Sequence, residues 1–201
     1  MDLFIPLLMI IGGAHAIKLR EQKIRIALLG SYLGKYQIEK LMENLTNGYL
    51  RALGESDAER QAQVWNFLAS TETELCEQFE LFVTDFSKVD EAEAGVSKLP
   101  LALPYANKLF PGAMFDLRKI LSIHARGITQ AIHNSTGQSP KNKAFTVSAE
   151  LFLMQHTCHW FCRSKTVASA RMLARHKTPY AQLLASVAPD TRNAYTALVG
   201  P

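Results

Sequence analysis

Residues 3–53 read LFIPLLMIIGGAHAIKLREQKIRIALLGSYLGKYQIEKLMENLTNGYLRAL, and this stretch sets the fold class. Its first part, residues 3–17, carries no Asp, Glu, Lys or Arg. Leu3, Phe4, Ile5, Leu7, Leu8, Met9, Ile10 and Ile11 dominate it, and Lys18, Arg20, Lys23 and Arg25 follow. An apolar run closed by cations is the pattern of a segment that enters a membrane, with the basic flank held on the cytoplasmic side. A spanning helix needs about 20 apolar residues, so this run crosses only if the bilayer thins or Lys18 snorkels outward. Two other readings compete with an anchor. Ala14-His15-Ala16 resembles an export cleavage site, although no basic residue precedes the apolar run; the run is also long enough for a core helix. The favoured expectation is a membrane anchor at residues 1–17, single-pass, with the body on the cytoplasmic side. The alternative is export after cleavage near Ala16.

Beyond Ile17 the pattern changes from continuous to periodic. Ile26, Leu29, Leu33, Tyr36, Leu41, Leu45, Tyr49 and Leu53 recur mostly three or four residues apart, which places them on one face of a helix. No proline lies between Lys18 and Leu53, and Gly54 is suited to end a helix. The spacing predicts that the anchor continues into one long first helix. Gly30 and Gly34 form a small-xxx-small pair, read as local packing because it lies outside the apolar run.

The rest of the chain repeats the helical period. Ser56-x-x-Glu59 predicts a helix start and a helix to about Ser87, with Val64, Phe67, Leu68, Leu75, Phe79, Phe82 and Phe86 inward. Glu55, Asp57, Glu72, Glu74, Glu77 and Glu80 are left for water, and a second cap at Ser70 and Thr71 with Glu74 suggests a kink. Gly95, Pro100, Pro104 and Pro111 break residues 88–112 into a connection whose Leu99, Leu101, Leu103, Tyr105, Leu109 and Phe110 are expected against the core. A third helix is predicted over 113–133 with His124 inward, a polar loop over 134–143, and a fourth helix over 145–177 that bends. Thr178-Pro179 and Pro189 then mark later helix starts. No strand-like alternation of useful length occurs. The fold expected is all-α, a bundle of about five to six helices, with residues 18–201 as one domain around the Pro-rich connection at 88–112.

Composition agrees with an ordered chain: of 201 residues, 48% are apolar and 20% charged. The net charge of +4 hides opposed halves. Residues 55–98 hold eleven acidic and three basic residues, whereas residues 99–201 hold three acidic and twelve basic ones. The expected reading is that the two complement each other. Cys76, Cys158 and Cys162 are too few, and odd in number, for a disulfide framework, which points to reduced thiols.

The densest set of potential ligands is Gln155-His156-Thr157-Cys158-His159-Trp160-Phe161-Cys162-Arg163. Cys158 and Cys162 lie one turn apart on a helix with His159 beside them, and zinc would need a further ligand such as Cys76 or His124. C-x-x-C-H for covalent haem is absent, as are a phosphate loop, a nucleophile elbow and H-E-x-x-H. Arg163, Lys165, Arg171, Arg175, His176 and Lys177 crowd the end of the fourth helix, where cations suit the helix dipole. With Lys18, Arg20, Lys23 and Arg25, the trio Arg171, Arg175 and Lys177 are candidate contacts to an anionic surface. Specific nucleic-acid binding is not expected, since no groove-reading motif accompanies the basic residues.

The function expected from these residues is that of a membrane-associated helical interaction or structural protein, non-catalytic, whose partners are a membrane and another protein. The alternative is a metal- or haem-binding helical protein with a redox or sensing role, built on His156, Cys158, His159, Cys162 and His124.

Overall fold

The computed structural model describes residues 4–200. The anchor assignments of Leu3, and of the side chains of Phe4, Ile5, Leu7 and Ile10, lie outside what is described. The described chain is predominantly helical: α1 Phe4–Leu33, α2 Ile38–Gly54, α3 Ala58–Phe86, α4 Glu91–Ala94, α5 Ala106–Leu109, α6 Leu117–His133, α7 Pro140–Cys162, α8 Lys165–His176, α9 Tyr180–Ser186 and α10 Pro189–Val199. One antiparallel ribbon, β1 Gly95–Ser97 with β2 Met114–Asp116, interrupts them.

The periodic stretch expected as one long helix is two. Gly34 donates its amide to Gly30 O at 2.9 Å, Tyr36 donates to Leu33 O at 3.0 Å, and the chain turns before Ile38. The turn lets α2 fold onto α3, and the two pack closely. Gly48 makes this approach possible, because a Cβ there would fall 2.3 Å from Leu68 Cδ2. Ile38, Leu41, Leu45, Tyr49 and Ala52 of α2 are buried, as are Leu68, Leu75, Phe79, Phe82 and Phe86 of α3.

α3 starts one residue later than the capping box suggests. Asp57 is the cap, accepting from the amides of Glu59 and Arg60. The kink expected near Ser70 is absent: Ser70 Oγ donates to Phe67 O and Thr73 Oγ1 to Ala69 O, so these hydroxyls bond back within an unbroken helix. Two positions on α3 are reversed relative to expectation. Phe67 is 71% exposed, and Glu72 is buried. Glu72 accepts from Tyr49 Oη and from Lys143 Nζ, each at 2.6 Å, so the carboxylate is carried inward by partners on α2 and α7.

The ribbon has no counterpart in the sequence pattern, since three-residue strands are too short to show alternation. Val96 pairs with Phe115, both buried, and Trp160 of α7 closes the site by donating Nε1–H to Ser97 O at 2.8 Å. The ribbon pins the two ends of the Pro-rich connection, and residues 98–113 bulge outward. Leu101, Leu103, Tyr105, Leu109 and Phe110, expected against the core, are exposed; only Ala106 of α5 is buried.

α7 is the central element, touching α1, α2, α6, α8 and α9. It ends at Cys162, and Ser164 caps α8 by accepting from the Val167 amide, so the bend expected in residues 145–177 is a break. Among the described residues no helix is long and apolar enough to cross a membrane. The apolar run of α1 stops at Lys18, and Arg20 and Glu21 follow within one turn.

Candidate functional site

α7 separates the predicted ligands instead of gathering them. Successive residues turn by about 100° on a helix, so His156 and Cys158 project to nearly opposite sides. Among the described residues no three His, Cys, Asp or Glu side chains stand close enough to hold one metal ion.

His156 faces α8 and α9. Its Nε2 lies 3.0 Å from Ser169 Oγ, and its ring stacks on Tyr180 with centroids 4.6 Å apart. His124, from α6, meets α7 at a different point, with Nε2 2.9 Å from Thr157 Oγ1. Thr157 donates its own proton to Leu153 O, so the network assigns the proton of His124 to Nε2 and leaves Nδ1 without a partner. Both rings are fully buried, and that burial holds His124 at about 3 and His156 at about 4, well below the ordinary imidazole value. They are neutral core groups near neutral pH.

The same interior holds residues that sequence reasoning passes over. Glu150 is fully buried; its Oε1 accepts from the Ala188 amide at 3.0 Å, and Oε2 has no partner within hydrogen-bonding geometry. Burial raises its carboxyl to about 7, opposed by the Ala188 amide. Gly127 of α6 makes room for it, since a Cβ there would lie 2.6 Å from Glu150 Oε2 and 2.4 Å from Thr191 Oγ1. Tyr195 Oη, 3.4 Å from Thr157 Oγ1, extends the group. One sequence feature does point here: Glu150 is one of only three acidic residues after residue 98, and it sits inside an apolar helix.

Cys158, His159 and Cys162 lie on the opposite side of α7, where an open groove of about 400 Å³ runs between α1, α2, α7 and α8. Cys158 Sγ stands 3.7 Å from Met154 Sδ, and His159 Nδ1 lies 3.3 Å from Arg171 Nη1. Burial pushes the Cys158 thiol far above its ordinary range and Cys162 up to about 11, so neither is a ready thiolate.

A second assembly forms at the N-terminal end. Every described side chain of α1 before Ile17 is exposed, with Leu8, Met9 and Ile11 at 53%, 73% and 56%. The helix meets the body further along, where Gln22 is buried and accepts from Arg163 Nη1 at 2.8 Å, and Arg25 donates to Phe161 O at 3.3 Å. The outward loop of the Pro-rich connection sits against this junction. Tyr105, held at φ +56°, donates its amide to Glu21 Oε1 at 3.1 Å, and Lys108 lies over its ring. Leu101 and Leu103, both exposed, line a shallow cleft with Lys18, Glu21 and Gln22 of α1. Lys18, Arg20, Lys23 and Arg25 sit on the turns of α1 that follow the stem, while Arg171, Arg175 and Lys177 are exposed on and just after α8. Among the described residues none of these seven cations forms an ion pair with a carboxylate. Compared with profiles of protein families, with curated proteins and with solved structures, the chain finds no match in any of the three.

Proposed function

We propose that this chain is a membrane-associated helical protein that docks through the N-terminal turns of α1 and presents its helical body to a protein partner. The observation that carries the reading is the exposure of Leu8, Met9 and Ile11 on an uncharged stretch of helix that projects from the body. Soluble proteins seldom leave contiguous apolar surface in water unless something covers it. At 1.5 Å per residue, the run up to Ile17 is about 20 Å long, short of the roughly 30 Å hydrocarbon core, so it enters the bilayer without crossing it unaided. Lys18, Arg20 and Lys23 then fall at head-group depth, where each cation near an anionic surface contributes about 1 kcal/mol. Tyr105, Leu101 and Leu103 add an amphipathic rim beside α1 at Lys18 and Glu21, the position aromatic side chains favour at a membrane interface.

Flotation of the full chain with phosphatidylcholine vesicles containing phosphatidylserine tests the reading. The protein floats, remains bound in high salt, and is released by detergent, because salt screens charges but leaves apolar insertion intact. Leu8→Asp with Ile11→Asp abolishes flotation. Stripping of the unsubstituted protein by salt alone, or unchanged flotation of the double variant, would refute insertion.

A further inference from the structure

The groove on the α1–α2 side of α7 has no role in docking, and its chemistry is distinct. Leu29, Met42, Met154 and Cys158 give it apolar, sulfur-rich walls. Thioethers and thiols are soft and adaptable surfaces for an apolar ligand. Gly30 keeps the wall low: a Cβ there would meet nothing within 4 Å. The volume of about 400 Å³ falls in the lower part of the range for small-molecule sites, roughly 300 to 1,000 Å³.

The charge is concentrated around one end. Arg163 and Arg171 line the groove at Cys162, and neither forms an ion pair with a carboxylate among the described residues. Together with Arg25 they act on the Cys162 thiol as three nearby positive charges, yet burial outweighs them and the thiol stays protonated. Glu21 acts on Arg25, whereas Arg163 and Arg171 meet only the neutral Gln22 and His159, so among the described residues these two cations have no carboxylate of the protein paired with them. The groove's one carboxylate, Glu39, comes from α2 and acts on Cys158, one turn away along α7. A ligand that complements both walls has an apolar body and an anionic head directed to the arginine end, because the head is attracted by Arg163 and Arg171 and repelled by Glu39.

We propose that the groove between α1, α2, α7 and α8 binds a single-chain amphiphile, its acyl chain lying on Met42, Met154 and Cys158 and its carboxylate or phosphate head on Arg163 and Arg171. The proposal is independent of membrane docking. An anion of this kind is available as a free fatty acid or as a lysophospholipid, and both satisfy the same walls.

Binding of 11-(dansylamino)undecanoate to the full chain, without vesicles and below micellar concentration, reads the site by fluorescence. Oleate and lysophosphatidic acid each displace the probe; the stronger competitor identifies the source. The uncharged dodecanol competes about tenfold more weakly than either, because it forgoes the charge-assisted contact. Gly30→Phe fills the groove and lowers probe affinity about tenfold or more, while phenylalanine is tolerated within a helix. Arg171→Glu weakens oleate about tenfold and leaves dodecanol unchanged. Bound oleate also slows modification of Cys162 by a thiol reagent and leaves Cys76 unaffected, a readout that requires no substitution. Leu8→Asp with Ile11→Asp binds the probe normally, which separates this site from the docking segment. Equal affinity in Gly30→Phe and the unsubstituted chain, or no saturable binding at all, overturns the proposal.

Discussion

Glu150 and the two buried histidines pull stability in opposite directions with pH. The Glu150 carboxyl is held at about 7 in the fold, against an ordinary value of 4.5. Between those values the folded chain keeps a proton that the unfolded chain releases, so stability from this group falls as pH rises and the loss is complete above 7. His124 and His156, held at about 3 and 4 against 6.5, act the other way: their contribution is fully present above 6.5 and is lost as pH falls through the acid range. Glu150→Gln keeps an oxygen for the Ala188 amide and removes the ionisation. Urea unfolding at pH 5 and pH 8 should find the variant gaining on the unsubstituted chain by on the order of 3 kcal/mol between the two; a difference independent of pH would mean that Glu150 does not titrate in that window. Gly127→Ala should reverse the usual gain from alanine in a helix. The new methyl meets the Glu150 carboxylate and the Thr191 hydroxyl, and overpacking of this kind costs about 1 to 3 kcal/mol, read as a lower unfolding midpoint.

Among the elements, one buried ion pair ties the α2–α3 hairpin to α7. Glu72 accepts from Tyr49 and Lys143 in a setting where both charged side chains are largely covered. Removing one partner leaves an uncompensated buried charge, so Lys143→Met should cost about 3 to 5 kcal/mol in chemical denaturation. The double change Glu72→Gln with Lys143→Met should recover most of that loss, since the neutral amide oxygen then at position 72 still accepts from Tyr49 Oη; no recovery would show that Lys143 acts through packing of its stem. The helical period shows that α3 has one apolar face, but not which part of it α2 covers. For that reason the period alone puts Phe67 inside and Glu72 outside, the reverse of what α2 and α7 enforce. The break at Gly34 is a similar case, because a glycine inside a periodic stretch is compatible with either a continuing helix or a turn, and the packing of α2 on α3 selects the turn.

For the whole molecule, α1 belongs to two regimes, an exposed stem before Ile17 and a packed segment from Gln22 onward. Removal of residues 1–16 should therefore leave a folded helical body whose thermal midpoint stays within about 4 °C of the full chain, since the deleted part lends no buried side chain among those described; an unfolded product by circular dichroism would place the segment in the core. The opposed charges of residues 55–98 and 99–201 meet at few points among the described residues. Among the described residues only Glu72 with Lys143 and Glu91 with Arg118 bridge the two halves, and the second pair, with Glu91 well exposed, is worth little. Local sequence suffices to show that the chain is helical, that α3, α9 and α10 start within a residue of their cap or proline signals, that residues 3–17 differ from the rest, and that His124 points inward, because apolar periodicity and caps are local properties of the backbone. Packing in three dimensions is what sets His156 and Cys158 on opposite sides of α7, encloses Glu150 beside Gly127, turns the leucines of the Pro-rich connection outward, and opens a groove at Gly30. Periodicity identifies the residues that share a helix face, whereas burial, charge balance and cavities depend on which other helix covers that face.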